Sequence, residues 1–289
     1  MRPVTKLRWS ECLQRITRFC IRPFAYFLLP RIPGSSLRFG PPRRFTKSFD
    51  EWLVANSHNH KARQVDIFPP ITFKAVKALY VNQELPENLS KRAQVTVQKQ
   101  FVAEIPNGRA AGIEPFIITD DDTLLGDLSM VCKPYIFDIS FTNRLPIVIR
   151  LSGPVLVLAG APGSNYGHWL HQMLPRLELA YKAGWKPKDF KKVLINSTSN
   201  NFAIESLLAV GFKNKQFMET FSDLHIQSTN LVVPSIPEAG NPPEWIVDFL
   251  RRTYGKPVSK PSRRIYTSRA KQKWRRIENE TELYPILSQ

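Results

Sequence analysis

The stretch "GPVLVLAGAPGSNYGHWLHQMLPRLELA", residues 153–180, decides the fold. The apolar run between its first two glycines reads as a strand buried on both faces. The loop "APGSN" leads into a periodic segment in which Trp169, Met173, Leu177 and Ala180 fall on one helical stripe. Strand, short loop and helix, with the stripe packed on the strand, form the opening unit of an α/β sheet.

The same rhythm continues toward the C-terminus. "KKVLIN" (191–196) reads as a strand and "FAIESLLAVGF" (202–212) as a helix. "IQSTNLVVPSI" (226–236) is a strand, and "NPPEWIVDFLRRTYG" (241–255) is a helix with Asn241 as N-cap, Pro242 in its first turn and Gly255 beyond its end. "RRIYTS" (263–268) reads as a further strand, and "NETELYPIL" opens a helix with Asn279 and Glu282 spaced as a capping box. Strands alternating with helices predict a mostly parallel sheet. "GKPVSKPSRR" (255–264) has the composition of a linker, so "RRIYTS" would open a second sheet that residue 289 leaves incomplete.

Toward the N-terminus the pattern changes. From about 65 to 150, short apolar runs alternate with turn signals. "AQVTVQKQFVAEI" (93–105) alternates like one strand, and "FIITDDDTLLGDL" (116–128) reads as strand, acidic turn and strand. Asp120, Asp121 and Asp122 suggest a solvated turn more than a metal site, because consecutive side chains do not converge easily. Residues 1–50 mix Arg with Trp, Phe, Leu and Pro. Arg15, Arg18 and Arg22 stand among apolar residues at roughly helical spacing, which suits either a helix lying on an anionic membrane, or a covering helix or disordered tail. The expected organisation is a basic segment over 1–50, an N-terminal lobe over 51–254, a linker over 255–264 and the start of a second lobe over 265–289.

Of the 41 Lys and Arg, eleven lie in residues 1–50 and eleven in 251–289, so the middle 200 residues carry as many acids as bases. A nucleic-acid-coating protein would spread its basic residues over the folded face, and nucleic acid is not an expected partner. No apolar run approaches the ~20 residues that span a bilayer. Cys12, Cys20 and Cys132 have no metal spacing, which fits a reducing, cytoplasmic compartment.

Two groups of residues carry chemistry. His168, His171 and Gln172 fall beside the apolar stripe, near a helix start and the C-terminal end of the preceding strand, where open α/β sheets bind ligands. A neutral His there suits general-base work. Two His three apart could also ligate a metal, but no third ligand is apparent, and both could simply make local hydrogen bonds. The single G-x-x-G in "GAPGS" (160–164) is a weak phosphate signal. The second group is the loop with Arg269, Lys271, Lys273, Arg275 and Arg276 before a helix start, which suits a pyrophosphate or is only a solvated basic loop.

"NYGHWLHQMLPRLELA" (165–180) resembles the Asn-Tyr-x-His-Trp…Leu-Pro-Arg block of glycosyltransferase family 61. "RRIYTSRAKQKWRRIENETEL" (263–283) is similar to its second block: Tyr-x-Ser-Arg, basic residues, then Asn-Glu-x-Glu-Leu. "IPNGRAAGIEPFIITDDDTLLGDLS" and "LVVPSIPEAGNPPEWIVDFLR" resemble segments of bacterial, capsular-polysaccharide-type members, extending the likeness over roughly 95–289. The resemblance implies a GT-B fold, two Rossmann-like lobes across a cleft, with only the first strand–helix unit of the second lobe present here. It implies transfer, with inversion, of a hexosyl or pentosyl unit from a nucleotide-sugar to a hydroxyl of a glycan or lipid-linked acceptor, with no cofactor and no obligatory metal. By motif position, His168 is the catalytic candidate, while Asn165, Tyr166, Arg269, Arg275 and Arg276 are the substrate- and donor-binding candidates. The chain departs from the family at Gln172, where members commonly carry an acid, and by ending before a Gly-rich donor-lobe motif. The competing reading is a non-catalytic protein with a degenerate lobe, whose basic ends, above all residues 1–45, hold an anionic membrane or a polyanion.

Overall fold

The structure is a computed structural model that describes residues 42, 44–57, 61–74, 94–129, 145–237, 240, 242–255, 265–274 and 276–288. Almost all of residues 1–45, the three cysteines, Asn241, residues 256–264 and Arg275 lie outside the described residues. The chain divides into two compact units, one up to Thr253 and one from Tyr254 onward.

The first unit is a mixed α/β structure built on a ten-stranded sheet. Its parallel part holds β9 (Ile149–Val157), β10 (Lys192–Ile195), β11 (Phe217–Glu219) and β12 (His225–Pro234). The spatial order is β11-β10-β9-β12, with every neighbouring pair parallel. That is the 3-2-1-4 order of a Rossmann-like sheet. The strands expected at 153–160, 191–196 and 226–236 are all present, and β11 was not foreseen. It has only three residues, two of them half-buried, too few to show a pattern.

β12 also joins the parallel part to an antiparallel part. β5 (Gln100–Pro106) and β6 (Arg109–Ala111) run along it in one unbroken register, Asn230 opposite Pro106 and Gln227 opposite Arg109. Asn107, at φ 54°, and Gly108 interrupt them. A Cβ on Gly108 would lie 2.9 Å from both Ile105 and Leu231, so the close passage of β12 requires glycine there. Beyond the interruption the sheet forks. β2 (Arg63–Phe68) pairs with β5, while β7 (Phe116–Ile118), β8 (Thr123–Leu125) and β1 (Arg44–Thr46) continue from β6. Helix α1 (Phe49–Ala55), capped by Ser48, buries Phe49 and Trp52 in the main core against Phe101, Leu125 and Leu128.

Two sequence expectations are corrected here. "AQVTVQKQFVAEI" is two strands in two sheets, β4 (Gln94–Val97) pairing with β3 (Ile71–Lys74), and β5 lying between β2 and β12. Gln100 curls its side chain back onto the carbonyls of Gln98 and Lys99 at the break. Only β4 alternates, and β5 is buried from Gln100 to Ile105, as a central strand must be. The acidic turn does form a hairpin, β7 to β8, in which Asp120 is exposed but Asp121 and Asp122 are engaged by the protein. Asp121 accepts from the Trp52 indole, the Thr119 and Thr123 hydroxyls and Arg44. Burial pushes its carboxyl up, and these donors outweigh that and hold it below the usual range. Asp122 is buried in an ion pair with buried Arg109. Asp121 and Asp122 bolt the hairpin to helix and sheet.

Three further helices are α3 (Arg176–Lys182), which packs on β5 and β12, α4 (Asn201–Ala209) and α5 (Glu244–Tyr254), numbered after α2 (Tyr166–His168). α5 starts after Pro242 and Pro243 rather than including Pro242 in its first turn.

In the second unit the expected strand is absent from 265–270, and Ile265 is exposed. A lone extended segment with no neighbour to pair with is not a strand. A 3₁₀ turn (Glu280–Leu283) runs into α6 (Tyr284–Leu287). The expected capping box does not close. The Asn279 amide donates to the Glu282 carboxylate, and no side chain caps the turn.

Candidate functional site

The chain leaves β9 toward β10 on one side, while β12 lies on the other side of β9. The carboxyl ends of β9 and β12 therefore flank the topological switch point, where open α/β sheets hold ligands. The loop after β9 is fastened to the end of β10. The Asn196 side-chain oxygen accepts from Gly160 N at 3.1 Å, and its amide donates to Gly160 O at 2.8 Å. Gly163 packs so tightly beneath this clamp that any Cβ would strike the Asn196 oxygen.

Asn165 ends the loop and caps α2, its side-chain oxygen accepting from Gly167 N at 2.9 Å and His168 N at 3.4 Å. The oxygen of a proposed substrate ligand is thus engaged in forming the helix that carries His168. Tyr166 is 60% exposed, its ring edge-on to Phe202. α2 passes directly into a π-turn, Trp169–Met173, in which Leu174 N donates to Trp169 O. Pro175 explains the widening: it has no N–H to donate, and in a regular α-helix its ring would meet the carbonyl of His171. The stripe Trp169, Met173, Leu177 and Ala180 is buried as expected, although the helix under it is segmented.

His168 is half-buried, and His171 faces solvent. His168 Nδ1 lies 2.7 Å from Gln172 Oε1, and Gln172 Nε2 donates to Pro237 O at 2.9 Å. One turn further, Arg176 is fully buried and donates through Nε and Nη2 to Pro234 O at 3.0 and 2.6 Å, while its Nη1 has no partner among the described residues. Burial lowers its pKa to about 9, still charged at neutral pH. Gln172 and Arg176 both grip the segment leaving β12, so the helix after β9 is tied to the opposite side of the switch point.

In the second unit, Glu280 organises the loop that bears the basic residues. Its carboxylate accepts from Tyr266 OH at 2.7 Å, Ser268 Oγ at 2.9 Å and Arg269 N at 3.3 Å. The Tyr266 bond leads the effects that hold Glu280 below the carboxylate range, and it pushes the Tyr266 phenol up to about 12. Arg269 Nη2 donates to Trp274 O, and Lys271, Lys273, Trp274 and Arg276 are exposed. Among the described residues no three His, Cys, Asp or Glu side chains form a metal-binding group. No described helix is long and apolar enough to cross a membrane.

Residues 166–289 match the family model described as Glycosyltransferase 61. The match supports glycosyltransferase family 61, and with it glycosyl transfer in glycan biosynthesis. It covers fewer than half of the residues and begins at Tyr166, so it does not take in residues 95–165, over which the sequence resemblance extended. Neither the curated proteins nor the solved structures give a match. The matched region contains His168, Gln172, Arg176, the basic loop and Glu280.

Of the residues singled out by sequence, Asn165, Tyr166 and His168 share the start of α2, while Arg269 and Arg276 belong to the second unit. Sequence reading missed the roles of Gln172, Asn196, Arg176 and Glu280. Gln172 was visible four residues after His168, and Asn196 at the end of "KVLI" is where a strand-end polar residue belongs. Arg176 stood in the Leu-Pro-Arg motif, but its role did not show, since its acceptor lies 58 residues away.

Proposed function

We propose that this chain carries the acceptor-side lobe of an inverting glycosyltransferase of polysaccharide or glycoconjugate assembly. The observation that carries the reading is His168: a half-buried imidazole beside the switch point, inside the region that matches the glycosyltransferase 61 family. In the proposed step, an acceptor hydroxyl oxygen attacks the anomeric carbon of a nucleotide-sugar. The new C–O bond forms as the bond to the diphosphate breaks, the diphosphate leaves with the electron pair, and His168 takes the hydroxyl proton. One displacement inverts the anomeric centre. Arg269, Arg275 and Arg276 are the proposed partners of the donor diphosphate, as forked cations suited to phosphate oxygens. Asn165 supports the site by capping α2, and Tyr166 offers an aromatic face to a sugar.

The test is His168→Ala assayed for transfer across a panel of nucleotide-sugars, chosen by the thermal shift each gives. Turnover is expected to fall by roughly 10²–10⁴-fold, the usual contribution of a general base, with an unchanged far-UV spectrum. An unchanged rate would remove His168 from the mechanism.

A further inference from the structure

We infer that Gln172 is a positioning residue that fixes the tautomer of His168, placing the proton on Nδ1 and leaving Nε2 as the proton acceptor. The inference rests on the proposed base role of His168, but the tautomer itself is measurable without any reaction.

The logic begins at a backbone carbonyl. Pro237 O can only accept, so the Gln172 atom 2.9 Å away must be its NH₂. A flipped amide would set two oxygens against each other. The orientation of the side chain is therefore settled at its buried end, where Gln172 is only 4% exposed and water cannot substitute. Its carbonyl oxygen is then the atom 2.7 Å from His168 Nδ1. That oxygen has no proton to give, so Nδ1 carries one. In the neutral ring the lone pair is left on Nε2.

This tautomer also suits a proton cycle. When Nε2 takes a proton, Nδ1–H still donates to Gln172, so the ring keeps its anchor in both states. The opposite tautomer would set the Nδ1 lone pair against the amide oxygen and would lose its anchor. A neutral amide gives orientation without charge, so Gln172 positions the ring and leaves acid–base chemistry to the imidazole alone. The chain of contacts also crosses the switch point, from a carbonyl just beyond β12 to a ring just beyond β9.

The test is long-range ¹H–¹⁵N spectroscopy of the His168 ring in the full chain near neutral pH, with His168→Asn to assign the signals. The wild type is expected to show protonated Nδ1 and bare Nε2; a mainly Nε2–H ring would overturn the inference. Gln172→Leu is expected to release the ring into a mixture of tautomers, and an unchanged spectrum in a folded variant would overturn it. Gln172→Met, closer in length and likewise without an amide, carries the test if the leucine variant fails to fold: a mixture of tautomers is expected, and an unchanged spectrum would overturn the inference. In the transfer reaction, Gln172→Leu should lower kcat by roughly 10–10²-fold, as loss of an orienting partner does, with KM changed by less than about threefold. Gln172→Met should lower kcat to a similar extent, and a raised KM with unchanged kcat in both variants would count against orientation as the cause. If His168→Ala transfers sugar normally while the wild-type ring shows Nδ1–H, the proposed function falls and the tautomer assignment stands.

Discussion

His225 should make the first unit sensitive to acid. It opens β12, is fully buried, and its Nδ1 lies 2.7 Å from Pro146 O, while Nε2 has no partner among the described residues. A carbonyl accepts, so Nδ1 carries the proton and Nε2 is the atom that must take up a second. Burial pushes its pKa down from 6.5 to about 4; the Pro146 bond raises it against that, and Arg109 adds to the lowering. The folded value lies below the unfolded one, so the unfolded chain binds the proton first. Stability is therefore unaffected above about pH 6.5 and is lost as pH falls through the window to about 4. At about 1.4 kcal/mol per unit the loss approaches about 3 kcal/mol, a large part of the 5–15 kcal/mol typical of a domain. The control is His225→Asn, which keeps a donor for Pro146 O and cannot be charged. Urea unfolding followed by tryptophan fluorescence, at half-unit steps from pH 7 to 4, gives the two stability curves. Carboxylates titrate in both proteins, so the difference isolates His225. The wild type is expected to lose about 3 kcal/mol more than the variant across that range, after allowing for the variant's lower stability at pH 7. Parallel curves would refute the account of His225 as a neutral group held in the core.

Two further outcomes are open to direct measurement. Gly163→Ala should force Asn196 off Gly160, costing about 2 kcal/mol for two hydrogen bonds at about 1 kcal/mol each. In an Asn196→Ala background the same substitution should cost much less, and equal costs in both would show that the clamp is not what the methyl displaces. Glu280→Gln should let the Tyr266 phenol titrate near 10 instead of about 12, because the carboxylate bond leads the causes of its rise. Ultraviolet titration with Tyr266→Phe as the reference reads this, and an unmoved midpoint would disconnect Glu280 from the loop that bears Arg269.

β9, β10 and β12 were legible because each carries an apolar run, whereas β11 did not show. β9 ends in Val155, Leu156 and Val157, all buried, and β10 carries Val193, Leu194 and Ile195. Their order was not legible, since nothing local places β12 beside β9 rather than beside β11. The Asp triplet misled for the same reason: Arg109, Trp52 and Arg44, which make Asp121 and Asp122 structural, come from three other elements. "RRIYTS" has strand composition, but an edge to pair with is not encoded in the segment itself. His168 stood out as a rare residue type at a helix start. Asn165 stood out equally and was assigned to substrate, although an Asn just before a helix is first a capping residue. Gln172 stood out only as a departure from the family pattern, and its hold on Pro237 O could not be read from the sequence.

The π-turn connects these local facts. At about 100° per residue, His168 and Arg176 would lie about 80° apart around a regular helix. A π-turn absorbs one residue, so the pair behaves as if seven apart, and the angle closes to about 20°. His168, Gln172 and Arg176 thereby come onto one face, the face turned to the segment after β12. Pro175 makes the wide turn the favourable one, because a regular turn would place its ring against the His171 carbonyl. The "MLPR" step, which gives no helical signal by itself, is thus the device that aligns the candidate base, its orienting amide and the buried guanidinium. A functional His at the start of a helix needs only a cap; a His whose tautomer is set from the far side of the switch point needs the helix rotated to meet it, and this helix is rotated by one residue.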